Sequence, residues 1–228
     1  LPVALGPEAE LAAYLPGPNG AALAAVTAWA AGTGDPFLYL FGPPGTGKTH
    51  LLQGACRAAA ARGAQALFLS LGHPGMEPSV LEDLEVAELI ALDDVHAIAD
   101  DSAWERELFS LYNRLREAGR RLLVSADAPT AGLSIALPDL RSRLGWGPAY
   151  RLRPLDESAC ALLLRQAAAQ RGLVLADDSV DYVLRRCPRE PRGLLEVLAE
   201  LDRASLARKR RPSLALVREV VNARRQRA

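Results

Sequence analysis

The sequence predicts an α/β fold: a parallel five-stranded sheet flanked by helices, followed by a small all-α subdomain. Three observations point there. Short apolar runs alternate with helical patterns as far as Arg153, the signature of strand–helix–strand units. A glycine-rich turn, "GPPGTGKT", joins the first strand-like run to the helix after it. After Pro154 the strand signals stop and only helical patterns remain.

In chain order, the turn cluster "LPGPNG" (15–20) leads into a helix through "AALAAVTAWAA", with Asn19 placed to cap it. "FLYLF" reads as a strand and 48–62 as an alanine-rich helix. "AQALFLS" is a strand, "SVLEDL" a short helix and "ELIALDD" a strand. "DDSAWERELFSLYNRLREAG" is an amphipathic helix, because Trp104, Leu108, Leu111, Tyr112 and Leu115 recur at near-helical spacing. A strand in "RRLLVSA", a helix in "LPDLRSRLG" and a last strand in "AYRLR" follow. Beyond them, "DESACALLLRQAAAQRG", "ADDSVDYVLRRC", "EPRGLLEVLAELDRASLARK" and "SLALVREVVNARR" each open with an Asp, Ser or Pro suited to a helix start. The expected division is a short N-terminal segment (1–14), an α/β subdomain (15–153) and a helical subdomain (154–228).

Half of the residues are hydrophobic and 24% are charged, an ordinary globular composition. Lys+Arg and Asp+Glu both number 27, so a whole-chain basic field for nucleic acid is absent. Cys56, Cys160 and Cys187 match no metal or redox spacing and suit a reducing, cytoplasmic setting. His50, His73 and His96 form no ligand pattern. No apolar run is long enough for a membrane span, and "LPVALGPEAEL" has no basic leader region, so neither membrane nor export is expected.

The turn comprises Gly42, Pro43, Pro44, Gly45, Thr46, Gly47, Lys48 and Thr49, and satisfies G-x-x-x-x-G-K-[ST]. Its glycines let the backbone curl so that N–H groups face inward, in front of a helix N-terminus, which makes an anion site. Lys48 would reach the β- and γ-phosphates, and the Thr49 hydroxyl would bind Mg²⁺. In "ELIALDDVH" two carboxylates end an apolar strand. Beside a phosphate loop, Asp93 would hold Mg²⁺ and Asp94 would orient or polarise an attacking water.

Taken with "RRLLVSADAP", "LYNRLREAG", "LPDLRSRLGWG", "EPRGLLEVL" and "ELDRAS", these motifs resemble, in order and over nearly the whole chain, the AAA+ ATPase modules of the DnaA family. The likeness is greater to its short Hda-type members than to its initiators. The resemblance implies ADP or ATP, with Mg²⁺, as cofactors. It makes Asp127 the sensor 1 residue, Arg143 an arginine finger directed at a neighbouring subunit's nucleotide, and Arg192 the sensor 2 residue. It aligns Tyr14 to Asn19 with a segment lining the adenine pocket. A guanidinium suits the finger because it is always charged and forks onto phosphate oxygens.

Hda-type proteins resemble one another in a short N-terminal motif that docks on the DNA polymerase III sliding clamp (β subunit), and "LPVAL" (1–5) looks like its tail. The stretch from Arg203 to Arg227 is basic and is expected to be a solvated face, or to touch DNA weakly and without sequence readout. The resemblance therefore implies a regulator of replication initiation that stimulates ATP hydrolysis by DnaA. It is compatible with weak ATPase activity of its own and with self-association. Two alternatives stand beside it: a DnaC-like helicase loader, and a fragment of a DnaA-type initiator. The latter would carry a further DNA-binding domain, and none is expected from these residues.

Overall fold

The computed structural model describes residues 9–208 and 212–227. The described residues group into two compact units, one up to Arg153 and one from Pro154 onward.

In the first unit, α1 (Gly20–Ala30) precedes β1 (Phe37–Phe41), which is followed by α2 (Lys48–Ala61) and β2 (Ala66–Ser70). Next come β3 (Leu89–Asp93), α3 (Ser102–Glu117), β4 (Arg121–Ala126), α4 (Pro138–Leu144) and β5 (Ala149–Arg151). All five strands are parallel, in the order β2-β3-β4-β1-β5. The five-stranded parallel sheet with flanking helices is the fold class that the alternating pattern predicts. A parallel sheet needs both faces covered, and the strand side chains divide accordingly. Leu38, Leu40, Leu89, Ala91 and Leu123 pack with Val26, Trp29, Leu51, Leu52, Ala55 and Ala59 of α1 and α2. Tyr39, Ile90, Leu92, Leu122 and Val124 point the other way, into the layer of Leu108, Leu111, Tyr112 and Leu115 of α3 and Leu140 and Leu144 of α4. The period of two along each strand thus sorts the core into two sheets of contacts.

Two local expectations are corrected. Asn19 does not cap α1: its side chain makes no bond to the helix N-terminus. Its Nδ2 instead donates to the Arg153 carbonyl (2.9 Å) and to Tyr14 Oη (3.2 Å), while its Oδ1 accepts from the Arg153 N–H (2.8 Å). A buried amide in reach of free backbone groups satisfies them before it satisfies a cap. "SVLEDL" is not an α-helix but part of two 3₁₀ turns, Pro78–Leu81 and Leu84–Val86, separated by Glu82 and by Asp83, which lies in the left-handed region at φ +55°. Pro78 starts the first turn with the correct φ, and Asp is among the few residues that tolerate αL, so the run breaks there.

The second unit contains α5 (Glu157–Gln170), α6 (Asp177–Arg186), α7 (Pro191–Arg208) and α8 (Leu214–Arg227). Asp156 caps α5 by accepting from the Ala159 N–H at 2.8 Å. Asp177 and Asp178 occupy the first turn of α6, and Pro191 opens α7. Cys160, Leu164, Val180, Val183, Leu194, Val197, Val217 and Val221 form its core. Across the described residues, no helix is long and apolar enough to cross a membrane.

Candidate functional site

The site assembles at the C-terminal ends of β1, β3 and β4. Because β4 lies between β1 and β3, the connection after β1 must cross to the far edge of the sheet, leaving a crevice beyond these strand ends. The residues from Gly42 to Gly47 leave β1 there and enter α2 at Lys48. Gly47 is the residue before the helix, at φ +87°. A Cβ at this position would lie 2.7 Å from the Tyr14 ring, so both the backbone angle and the space exclude a side chain. Tyr14 is part of the loop's support, since its hydroxyl donates to the Thr46 carbonyl at 3.1 Å. Thr46 in turn donates to the Pro43 carbonyl at 2.9 Å.

Lys48 is folded back onto the loop, its Nζ donating to the Gly42 carbonyl (2.7 Å) and the Pro43 carbonyl (3.2 Å). Burial pushes its ammonium below the usual lysine range, and the carboxylates of Asp94, Asp93 and Asp127 pull against that shift. The ammonium's hydrogen-bond partners are neutral carbonyls, and a phosphate in the loop would offer it charged acceptors instead.

Asp93 ends β3 and is 1% exposed. Thr49 Oγ1 donates to its Oδ2 at 2.6 Å, and Ser125 Oγ of β4 makes a short bond to its Oδ1. Burial raises the Asp93 carboxyl above the usual range in spite of the Ser125 and Thr49 hydroxyls and Lys48. The chemistry of the donor set fits Mg²⁺: a hydroxyl and a carboxylate oxygen at contact distance, both hard ligands, beside a phosphate loop. Such an ion would keep most of its ligands as water and phosphate.

Asp94 follows at φ +59° and opens the 3₁₀ turn Val95–Ile98. Its N–H donates to Ser125 Oγ at 3.1 Å, so one serine fixes both members of the acidic pair. The Asp94 side chain is 36% exposed and Asp127, just past β4, is 50% exposed. His96 stands by both: its Nδ1 is 4.0 Å from Asp94 Oδ1 and 3.9 Å from Asp127 Oδ1. That nitrogen is buried and has no hydrogen-bond partner. The structure thus brings together Lys48, Thr49, Asp93, Asp94 and Asp127. Ser125, His96 and Tyr14's hold on the loop emerge only from the fold, since neighbouring strands in the sheet are not neighbours in sequence. The tight run "DDVH", which puts His96 one turn beyond the acids, is the one available signal for the histidine.

Arg143 sits in the last turn of α4. Its guanidinium stacks on the Trp146 ring, 3.9 Å from the centroid. The loop before α4 is held by Glu105 of α3, a carboxylate 1% exposed that accepts from the N–H groups of Asp100 (3.0 Å), Ala136 (3.0 Å) and Leu137 (2.8 Å). Arg141 bonds the Ile135 carbonyl in the same loop. In the second unit, Arg192 lies at the start of α7, 90% exposed, and pairs with Glu196 at 3.0 Å. Arg224 bridges Glu196 and Glu200, and Arg208 pairs with Glu219, so part of the basic stretch is neutralised by local acids. "LPVAL" lies outside the described residues.

Comparison with known proteins agrees with this fold. A model of the bacterial DnaA ATPase domain matches residues 77–150, and a model of the Hda lid domain matches residues 156–221. Domain III of the Thermotoga maritima replication initiation protein DnaA superposes with a TM-score of 0.83 at 20% identity, over 97% of this chain and 98% of that one. DnaA of Aquifex aeolicus, solved with AMPPCP, gives 0.72 at 24% identity over 90% of this chain and 69% of that one. The RuvB Holliday junction branch migration motor of Thermotoga maritima gives 0.68 at 19% identity, over 90% and 67%. At these identities the solved structures speak to the fold, while the two consecutive family models join a DnaA-type ATPase segment to an Hda-type lid, a combination consistent with the Hda/DnaA-like AAA+ family.

Proposed function

We propose that this protein is an Hda-type negative regulator of replication initiation: a nucleotide-bound AAA+ protein that, with the DNA-loaded sliding clamp, stimulates ATP hydrolysis by DnaA. The observation that carries this reading is a DnaA-type ATPase domain followed directly by a lid of the Hda type. ADP or ATP binds in the loop from Gly42 to Thr49, with Lys48 leaving the Gly42 and Pro43 carbonyls for the phosphates. Thr49 and Asp93 hold Mg²⁺, which neutralises phosphate charge when bound. Asp127 and Arg192 read the state of that nucleotide. Asp94 is free to orient a water, and this gives slow intrinsic hydrolysis. Arg143 acts in trans on ATP held by DnaA, where an arginine finger is worth about 10³–10⁵ in rate. DNA is contacted through the clamp or by weak non-specific contacts, and self-association through the finger edge is part of the same geometry. The protein acts in the cytoplasm, where the clamp and DnaA are.

The test is hydrolysis of labelled ATP preloaded on the cognate DnaA, with clamp on DNA, using protein with its complete native N-terminus. The expected result is strong stimulation by the wild type and none by Arg143→Ala. If neither protein affects DnaA while the wild type hydrolyses ATP alone, the regulator reading fails.

A further inference from the structure

Arg143 has an unusual setting for a solvent-edge arginine. Its guanidinium carbon lies 3.9 Å from the Trp146 ring centroid and 5.9 Å from that of Phe109. Its Nε is buried and has no hydrogen-bond partner. No acid pairs with it among the described residues, whereas Arg114, Arg120 and Arg141 are paired or bonded. The charge is therefore held by aromatic faces and not by a carboxylate, which leaves its outer N–H groups uncommitted.

The indole is itself fixed. Trp146 is 52% exposed, yet the Tyr112 ring meets it edge-on at 6.1 Å, and Tyr112 stacks on Phe37 at 4.6 Å. The Trp146 N–H donates to the Arg143 carbonyl at 3.1 Å, which closes the turn that lays the two side chains together. The next residue, Gly147, packs so tightly on the Phe37 carbonyl that any Cβ there would overlap it. The platform is thus clamped to β1 and α3 from below. Arg116 of α3 also approaches the ring, at 5.2 Å. A large apolar ring left half in water beside two guanidinium groups has no role in the core that explains it.

We propose that Trp146 is the positioning residue for Arg143: its indole face holds the guanidinium flat and unpaired at the edge of the module, ready for the phosphate of a neighbouring subunit's nucleotide. This rests on the finger role proposed above. The physical basis is selection among rotamers. A free arginine samples many conformers, and most either point elsewhere or pair with a local acid. The indole favours one conformer by an attraction that offers no competing hydrogen bonds, so the side chain leaves it readily for a phosphate.

Two measurements test the proposal. The first is acrylamide quenching of tryptophan emission in the free protein, where Trp29 and Trp104 are buried and Trp146 dominates the response. Arg143→Ala is expected to raise quenching, because it uncovers one face of Trp146; equal quenching overturns the stack. The second is the clamp-dependent DnaA assay with wild type, Arg143→Ala, Trp146→Ala and Trp146→Phe. Trp146→Ala is expected to lower the maximal stimulated rate about tenfold with an unchanged half-saturating concentration. Trp146→Phe, which keeps an aromatic face and the fold, is expected to recover most of that rate. If Arg143→Ala abolishes stimulation while Trp146→Ala matches wild type, only this inference is overturned. If Trp146→Ala raises the half-saturating concentration instead, Trp146 is a docking contact and the positioning role is overturned. If Arg143→Ala still stimulates, the finger reading itself fails.

Discussion

Asp93, the acid proposed to hold Mg²⁺, bears on stability through its burial. Its carboxyl is raised by burial, so the ionised form is disfavoured in the folded, ligand-free protein. A carboxyl raised on folding favours the native state below its unfolded pKa, and that benefit is lost as pH rises through the folded value. Asp93→Asn removes the buried charge but keeps most of the side-chain shape. Ligand-free Asp93→Asn is therefore expected to melt higher than wild type at pH 8, with the gap closing as pH is lowered toward 5. Thermal melts across that range check it; a variant less stable than wild type at pH 8 contradicts it. The sequence showed Asp93 as an acid at a strand end. That its partners are Thr49 and Ser125 depended on β3 pairing with β4 in one register, Leu92 beside Val124.

Among the elements, α3 carries more than its apolar stripe. Trp104, Leu108, Leu111, Tyr112 and Leu115 are all buried, as their spacing predicts. Glu105, on the same helix, is buried too, and holds the segment that leads into α4. A charged residue inside an amphipathic pattern reads as solvent-facing, so its role was not legible. Glu105→Gln places an amide N–H against one of three backbone N–H groups, and is expected to cost about 1–3 kcal/mol. Chemical denaturation measures this directly. The same variant is expected to weaken DnaA stimulation, since the segment it holds carries the helix of Arg143. Stimulation unchanged in a destabilised protein would separate Glu105 from the finger.

For the whole molecule, the decisive quantity is the coupling of nucleotide to folding. A ligand that binds only the native state stabilises it by about 2.7 kcal/mol at a hundred times its dissociation constant. ADP with Mg²⁺ is expected to raise the melting temperature of the wild type, and Lys48→Ala is expected to abolish the rise. Calorimetry with and without ADP checks both; an equal rise in Lys48→Ala would move the nucleotide away from the loop. The second unit has its own core of Cys160, Leu164, Val183, Val197 and Val217, so it is expected to respond less than the first.

The sequence by itself determined the sheet, its main flanking helices, the helical second unit, the glycine-rich turn before α2 and the family likeness. Each of these rests on local chemistry: a period of two or near 3.6, a helix cap, or a run of glycines ahead of Lys and Thr. Tertiary structure alone decided which side chains meet. It drew Asn19 away from its helix to the Arg153 backbone, set Ser125 beside both acids, and put His96 between Asp94 and Asp127. It also laid Arg143 on Trp146. Those meetings depend on strand order and on which buried polar group finds a partner first. Both are settled by the chain as a whole, because a hydrogen bond across the sheet joins residues that share no local pattern.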